Sequence, residues 1–236
     1  MTTHIACLGD SLTRAQLSVD YLDILERRHR PGGVRLNRFG ANGDFAFNLV
    51  RRLDAVVDDP PDVITVLIGT NDARASLPGY PIERAIRRRQ LPERPSAGWF
   101  QQCLGTVVDR LRTETDATIG LLSLPVLGQQ LDGAAAQAYS RMIAEVATAN
   151  KATYLPLHER QIEELRQADP LPIPYRELTP AAGVGVLFRH SVLRRSFDTI
   201  SRRRGLVLTT DHIHQNSRGA TLIAEVIDTC LPPRST

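Results

Sequence analysis

Residues 63–72 read VITVLIGTND. The run Val63 to Ile68 is apolar or β-branched at every position and shows no alternation between apolar and polar. It is too short for a helix of ordinary length, and Gly69 closes it. Such a run reads as a strand buried on both faces. A strand of that kind belongs to a parallel sheet with helices packed above and below.

Working outward, strands and helices alternate. HIACLG (4–9), VRLNRFG (34–40), ATIGLLSLP (117–125) and ATYLPL (152–157) read as four further strands. Between and after them, YLDILERRH (21–29), FAFNLVRRLDAVV (45–57), GWFQQCLGTVVDRLR (98–112), AAQAYSRMIAEVATAN (135–150) and GATLIAEVIDTCL (219–231) carry helical spacing. The pattern predicts repeated βαβ units in an α/β fold with a mostly parallel, five-stranded sheet. Ligands of such sheets bind beyond the carboxyl ends of the strands. Two stretches interrupt the rhythm. Residues 73–97 hold four prolines and six arginines around a short helical IERAIRRR, and residues 169–205 run from DPLPIP into a basic helical segment. Both are expected to be insertions that form a lid or a substrate wall.

Composition narrows the function. The chain of 236 residues is expected to be one domain, 1–236, carrying those two insertions. Its net charge of +3 is too mild to argue for nucleic acid. Aromatics make up 5% and none interleave with the basic run, so no stacking platform for single strands is read. Lys151 is the only lysine among 29 basic residues, a preference that fits GC-rich coding better than chemistry. Cys7, Cys103 and Cys230 have no metal-like spacing and are expected to be reduced thiols in a cytoplasmic protein. The N-terminus shows no signal-peptide pattern, and no apolar run reaches membrane-spanning length.

The candidate chemistry sits at strand ends. GDSLT (9–13) follows the first strand and exposes Ser11 to a nucleophile's role or to that of a plain turn residue. In DHIH (211–214), Asp211 lies three residues before His214, within reach of one ring nitrogen if the segment turns. A base oriented by an acid is what a serine hydroxyl requires. The alternative is that Asp211 caps the last helix and His214 is a surface residue. After the third strand, Asn71 can aim its amide at an oxyanion or close an Asx turn. Gly43 can offer a backbone N–H or simply make a bend. Asp10 is read as a brace that accepts backbone N–H groups of the Ser11 loop. His4, His29, His158 and His190 have no metal-like partners. Trp99 and Phe100 read as core, and Tyr80 is a candidate for the wall of an acyl pocket.

Singly these motifs are weak; their order is not. GDSLT (9–13), NRFGANGD (37–44), GTND (69–72) and DHIH (211–214) resemble the blocks of the SGNH hydrolases, also called the GDSL esterase/lipase family. The resemblance implies a flavodoxin-like three-layer α/β/α sandwich. It implies Ser11 as nucleophile, His214 as general base and then acid, and Asp211 as its orienting partner. It implies an oxyanion hole from the N–H groups of Ser11 and Gly43 with the Asn71 side chain, and no metal or other cofactor. Three departures stand out. His212 sits where the family often has a small residue, Gln215 replaces a frequent proline and is expected to loosen the turn, and Asn42 precedes the oxyanion glycine. The expected activity is hydrolysis of a small-molecule carboxylic ester through an acyl-enzyme. An acyltransferase or thioesterase using the same groups, and a ligand-binding protein without turnover, are the alternatives. The basic segment Arg189–Arg204 reads as a solvated amphipathic helix, with contact to an anionic surface as the lesser reading. Nothing in the sequence fixes the oligomeric state.

Overall fold

The computed structural model describes residues 2–30, 33–176 and 196–231. Five strands form one sheet: β1 (Thr3–Gly9), β2 (Val34–Gly40), β3 (Val63–Leu67), β4 (Thr118–Leu122) and β5 (Thr153–Leu155). Their order is β2-β1-β3-β4-β5 and every pairing is parallel, as in flavodoxin-like folds. All five residues of β3 are buried, so the VITVL run lies in the middle of the sheet with helices on both faces.

The chain leaves β1 in one direction and returns through β3 in the other. Right-handed crossovers therefore place the helices of the two halves on opposite faces. On one face α2 (Tyr21–His29) packs with α11 (Ser217–Asp228), which also meets α9 (Leu157–Ala168). Asp228 fastens that pair, accepting from Arg28 Nη1 at 2.7 Å and facing His29 Nε2 at 2.6 Å. The other face holds α3 (Ala46–Val50), α5 (Thr70–Ala75), α7 (Ala97–Glu114) and α8 (Ala134–Ala149). The remaining described helices are the single turns α1 (Ser11–Arg14) and α4 (Asp54–Val57), with α6 (Ile82–Arg89) and α10 (Phe197–Arg203).

Register places the candidate chemistry at one edge. Gly9 pairs with both Gly40 and Leu67, so β1, β2 and β3 end level. Their loops emerge together at the point where strand order reverses. Gly9 is also a close approach: a Cβ there would sit 2.4 Å from the Leu67 carbonyl oxygen, so only glycine lets β1 and β3 end side by side.

The structure adjusts two expectations. Residues 45–57 form two short helices, α3 and α4, with an interruption at Arg51–Leu53. Phe45, Leu49, Leu53 and Val56 are all buried, so one apolar face continues across the break. The last strand ends at Leu155, short of the expected 157, and Leu157 together with residues 158–168, left unassigned by the pattern, forms the twelve-residue helix α9. Within 169–205 the helix is described only over Phe197–Arg203. There Phe197 and Ile200 pack inward on Leu17 and Val19. The remainder of the basic segment, with His190, Val192, Leu193, Arg194 and Arg195, lies outside the described residues. Among the described residues no helix is long and apolar enough to cross a membrane.

Candidate active site

Asp10 ends β1 and caps α1. Its Oδ1 accepts the Leu12 N–H at 2.9 Å, which turns the chain sharply and sets Ser11 at the first position of the helical turn. A first-turn amide has no partner within its own helix, so the Ser11 N–H is left over by the geometry. Ser11 itself is half-buried, two residues beyond the end of β1.

The 211–216 loop meets Ser11 from the far end of the chain. His214 Nε2 lies 3.2 Å from Ser11 Oγ, and His214 Nδ1 lies 2.8 Å from Asp211 Oδ2. Asp211 is fully buried and its Oδ1 accepts the N–H groups of Ile213 and His214. Burial pushes the Asp211 carboxyl up, but the His214 ring and those two N–H groups outweigh it and hold it below its ordinary value. An ionised carboxylate only accepts, so Nδ1 carries the ring hydrogen and Nε2 is free to accept from the serine hydroxyl.

The loop is fastened from several sides. Thr210 N–H donates to His214 O at 2.7 Å, and Val19 N–H to Gln215 O at 2.8 Å. The loosening expected at Gln215 is absent. Its side chain is buried, accepts from Gln161 Nε2 at 2.8 Å and donates to Ile213 O at 2.7 Å, while its own N–H reaches Ser18 Oγ. His212 stands apart from the Asp211–His214 pair. Its backbone is at φ 76°, its carbonyl accepts from Gly128 N–H, and among the described residues its Nδ1 has no hydrogen-bond partner.

Gly43 and Asn71 complete the edge. Gly43 has φ 73°, a conformation that L-residues avoid, and a Cβ there would lie 3.1 Å from Arg89 Nη2. Among the described residues its N–H has no hydrogen-bond partner. Asn71, buried at the start of α5, has its amide orientation fixed by neighbours. Arg74 Nη1 donates to its Oδ1 at 2.8 Å, so Nδ2 faces the other way and donates to Asp44 O at 2.9 Å. Its second N–H points to Asp10 Oδ2 at 3.5 Å, at the outer limit of a hydrogen bond, and is the one able to turn to another acceptor.

Several residues of this edge carry no motif. Arg52 donates from Nε to Asp44 Oδ2, from Nη1 to Phe39 O and from Nη2 to Gly9 O, each at 2.7 Å. One guanidinium thus ties the Gly43–Asp44 loop to the ends of β2 and β1. Burial raises Asp44 above its ordinary value, against the pull of Arg52 and Arg89. Asp72 is buried in α5 and accepts the Ala46 N–H at 3.2 Å. It therefore caps α3 across the site instead of closing its own turn. Burial pushes Asp72 up to about 7 and Asp10 up to about 6. In sequence, Arg52 is one arginine among many, and no spacing sets it apart.

Beside Gly43 and Asn71 opens a cavity of about 380 Å³. Phe45, Tyr80, Pro81 and Ala85 line it, together with arginines of α5 and α6. Tyr80 lines this cavity, whereas Phe100 is core and Trp99 stacks on Phe47 at 5.2 Å. Among the described residues no group of three or more His, Cys, Asp or Glu is placed to hold a metal ion.

A model of the GDSL-like lipase/acylhydrolase family matches residues 7–182, three quarters of the chain. The chain belongs to that family. The matched span contains Asp10, Ser11, Gly43 and Asn71; Asp211 and His214 lie beyond it and are brought to the same edge by the fold. Solved structures of similar fold include the acetyl xylan esterase AlAXEase, with 16% identity, coverage of 97% of this chain and 100% of that one, and a TM-score of 0.68. The lipase/acylhydrolase from Enterococcus faecalis has 17% identity, coverage of 99% and 100%, and a TM-score of 0.63. A catalytic mutant of the acetylxylan esterase Axe2 from Geobacillus stearothermophilus has 14% identity, coverage of 97% and 93%, and a TM-score of 0.67. A comparison with curated protein sequences returns no match.

Proposed function

We propose that the protein hydrolyses carboxylic esters through an acyl-enzyme on Ser11. The observation that carries this is the unbroken relay from Asp211 Oδ2 through the His214 ring to Ser11 Oγ, with gaps of 2.8 and 3.2 Å. As Ser11 Oγ bonds to the acyl carbon, its proton passes to His214 Nε2. The carbonyl electron pair moves onto oxygen, where the Gly43 and Ser11 N–H groups and the Asn71 amide receive the charge. Collapse of this intermediate breaks the bond to the alcohol oxygen, which takes the proton from His214. Water then repeats the sequence on the acyl-enzyme, releasing the acid and the free serine. Asp211 stays ionised throughout and favours the imidazolium that forms beside it.

The test is turnover of 4-nitrophenyl acetate, butyrate and octanoate by the wild type and Ser11→Ala, with a fluorophosphonate probe read by mass spectrometry. Wild-type turnover with labelling at Ser11, and neither in the variant, is the expected result. A folded wild type that is not labelled and releases no nitrophenol would sink the proposal in favour of a ligand-binding role.

A further inference from the structure

The cavity beside Gly43 and Asn71 is unusual in its charge. Its apolar lining is Phe45, which is fully buried, with Tyr80, Pro81 and Ala85. Its rim carries Arg74, Arg84, Arg88 and Arg89, and among the described residues no acidic side chain lines it. Two of these arginines are already engaged. Arg74 donates to Tyr175 Oη and Asn71 Oδ1 and lies over the Tyr80 ring at 5.3 Å. Arg89 faces Asp44 Oδ1 at 3.6 Å. Arg84 and Arg88 are exposed and have no hydrogen-bond or ionic partner among the described residues.

Arg84 and Arg88 lie one turn apart on α6, on the side that borders the cavity, while Arg87 of the same helix does not line it. Two like charges at that spacing oppose folding slightly, and an anion between them would turn the repulsion into attraction. Position decides which half of an ester the cavity serves. The alcohol must leave toward His214, which does not line the cavity, whereas the Gly43 and Asn71 donors that would hold the carbonyl oxygen do.

Building on the acyl-enzyme reading above, we infer that the acyl half of the substrate is a short methylene chain ending in a carboxylate. The chain would lie over Phe45 and Ala85, and the carboxylate would meet Arg84 and Arg88. The preferred substrates are then half-esters of dicarboxylic acids, not esters of simple fatty acids.

The experiment compares kcat/KM for mono-4-nitrophenyl adipate and 4-nitrophenyl hexanoate, which have the same acyl length and differ in the terminal carboxylate. The adipate should be favoured by roughly tenfold or more at low salt, and the preference should shrink as NaCl is raised. In the double variant Arg84→Gln/Arg88→Gln the ratio should fall to near one because the adipate value drops. The double lysine variant should recover part of it, and Arg87→Gln should keep the wild-type ratio. If hexanoate turns over but the adipate is no better, or if the double glutamine variant keeps the preference, the inference is wrong and the esterase reading stands. If neither ester turns over, the hydrolase reading fails and the inference goes with it.

Discussion

Asp211 does three jobs with one carboxylate. Oδ1 takes two backbone N–H groups and shapes the loop, while Oδ2 takes the ring N–H of His214. These roles can be separated by Asp211→Asn. The amide oxygen can still accept the two backbone N–H groups, so the loop should keep its form. The amide nitrogen, however, would face Nδ1 as a donor and force the ring hydrogen to Nε2, where it blocks acceptance from Ser11. A fall in kcat on the order of 10³–10⁴-fold is expected, with KM and the thermal midpoint changed little. A variant that retains more than a tenth of wild-type kcat would show that tautomer control is not Asp211's task. Ser11, Asp211 and His214 were singled out by the order of four blocks that are weak one by one, and the fold brings the three within hydrogen-bond reach of one another.

At the scale of elements, the residues that hold the site together were hidden. Arg52 lies at the break between α3 and α4, in a run whose apolar spacing reads as one helix. Its partners are main-chain oxygens of Gly9 and Phe39, more than ten residues away in sequence, and a carbonyl leaves no trace in residue type. Helix α9 was missed for a related reason. Gln161 occupies its inner face, fully buried, accepting from Val126 N–H and donating to Gln215. A glutamine in the apolar stripe breaks the periodicity by which helices are read. Arg52→Met tests the first of these. With the Gly43–Asp44 loop untied from β1 and β2, the Gly43 N–H should drift by a fraction of an ångström to an ångström. On the order of a hundredfold should be lost from kcat with a smaller change in KM. Since Met preserves much of the packed stem, comparable losses in kcat and folding stability would instead assign Arg52 a purely structural role.

Across the whole molecule, the two-sided burial of β3 made the layer architecture legible, and the same burial imposes an electrostatic burden. Asp10 and Asp72 follow the ends of β1 and β3, and both side chains are buried. Burial raises Asp72 to about 7, with the Asp10 charge acting in the same direction, against N–H groups that favour the ionised form. A carboxyl raised in the folded state holds a proton that the unfolded chain gives up near pH 4. Stability is therefore fully present below that pH, falls as pH rises toward 7, and levels off above it. Asp10, raised to about 6, contributes with the same sign over the lower part of this window. In Asp72→Asn the side chain is neutral at every pH, and its oxygen still accepts the Ala46 N–H that caps α3. The variant should match the wild type near pH 4.5 and exceed it at pH 8 by on the order of 1–3 kcal/mol, read as a higher urea midpoint with an unchanged slope. The wild type should lose stability between those two values and the variant should lose less, retaining only the part due to Asp10. Parallel curves for the two proteins across this range would mean that Asp72 is ionised at no cost in the folded state and that the buried edge is better solvated than its packing implies.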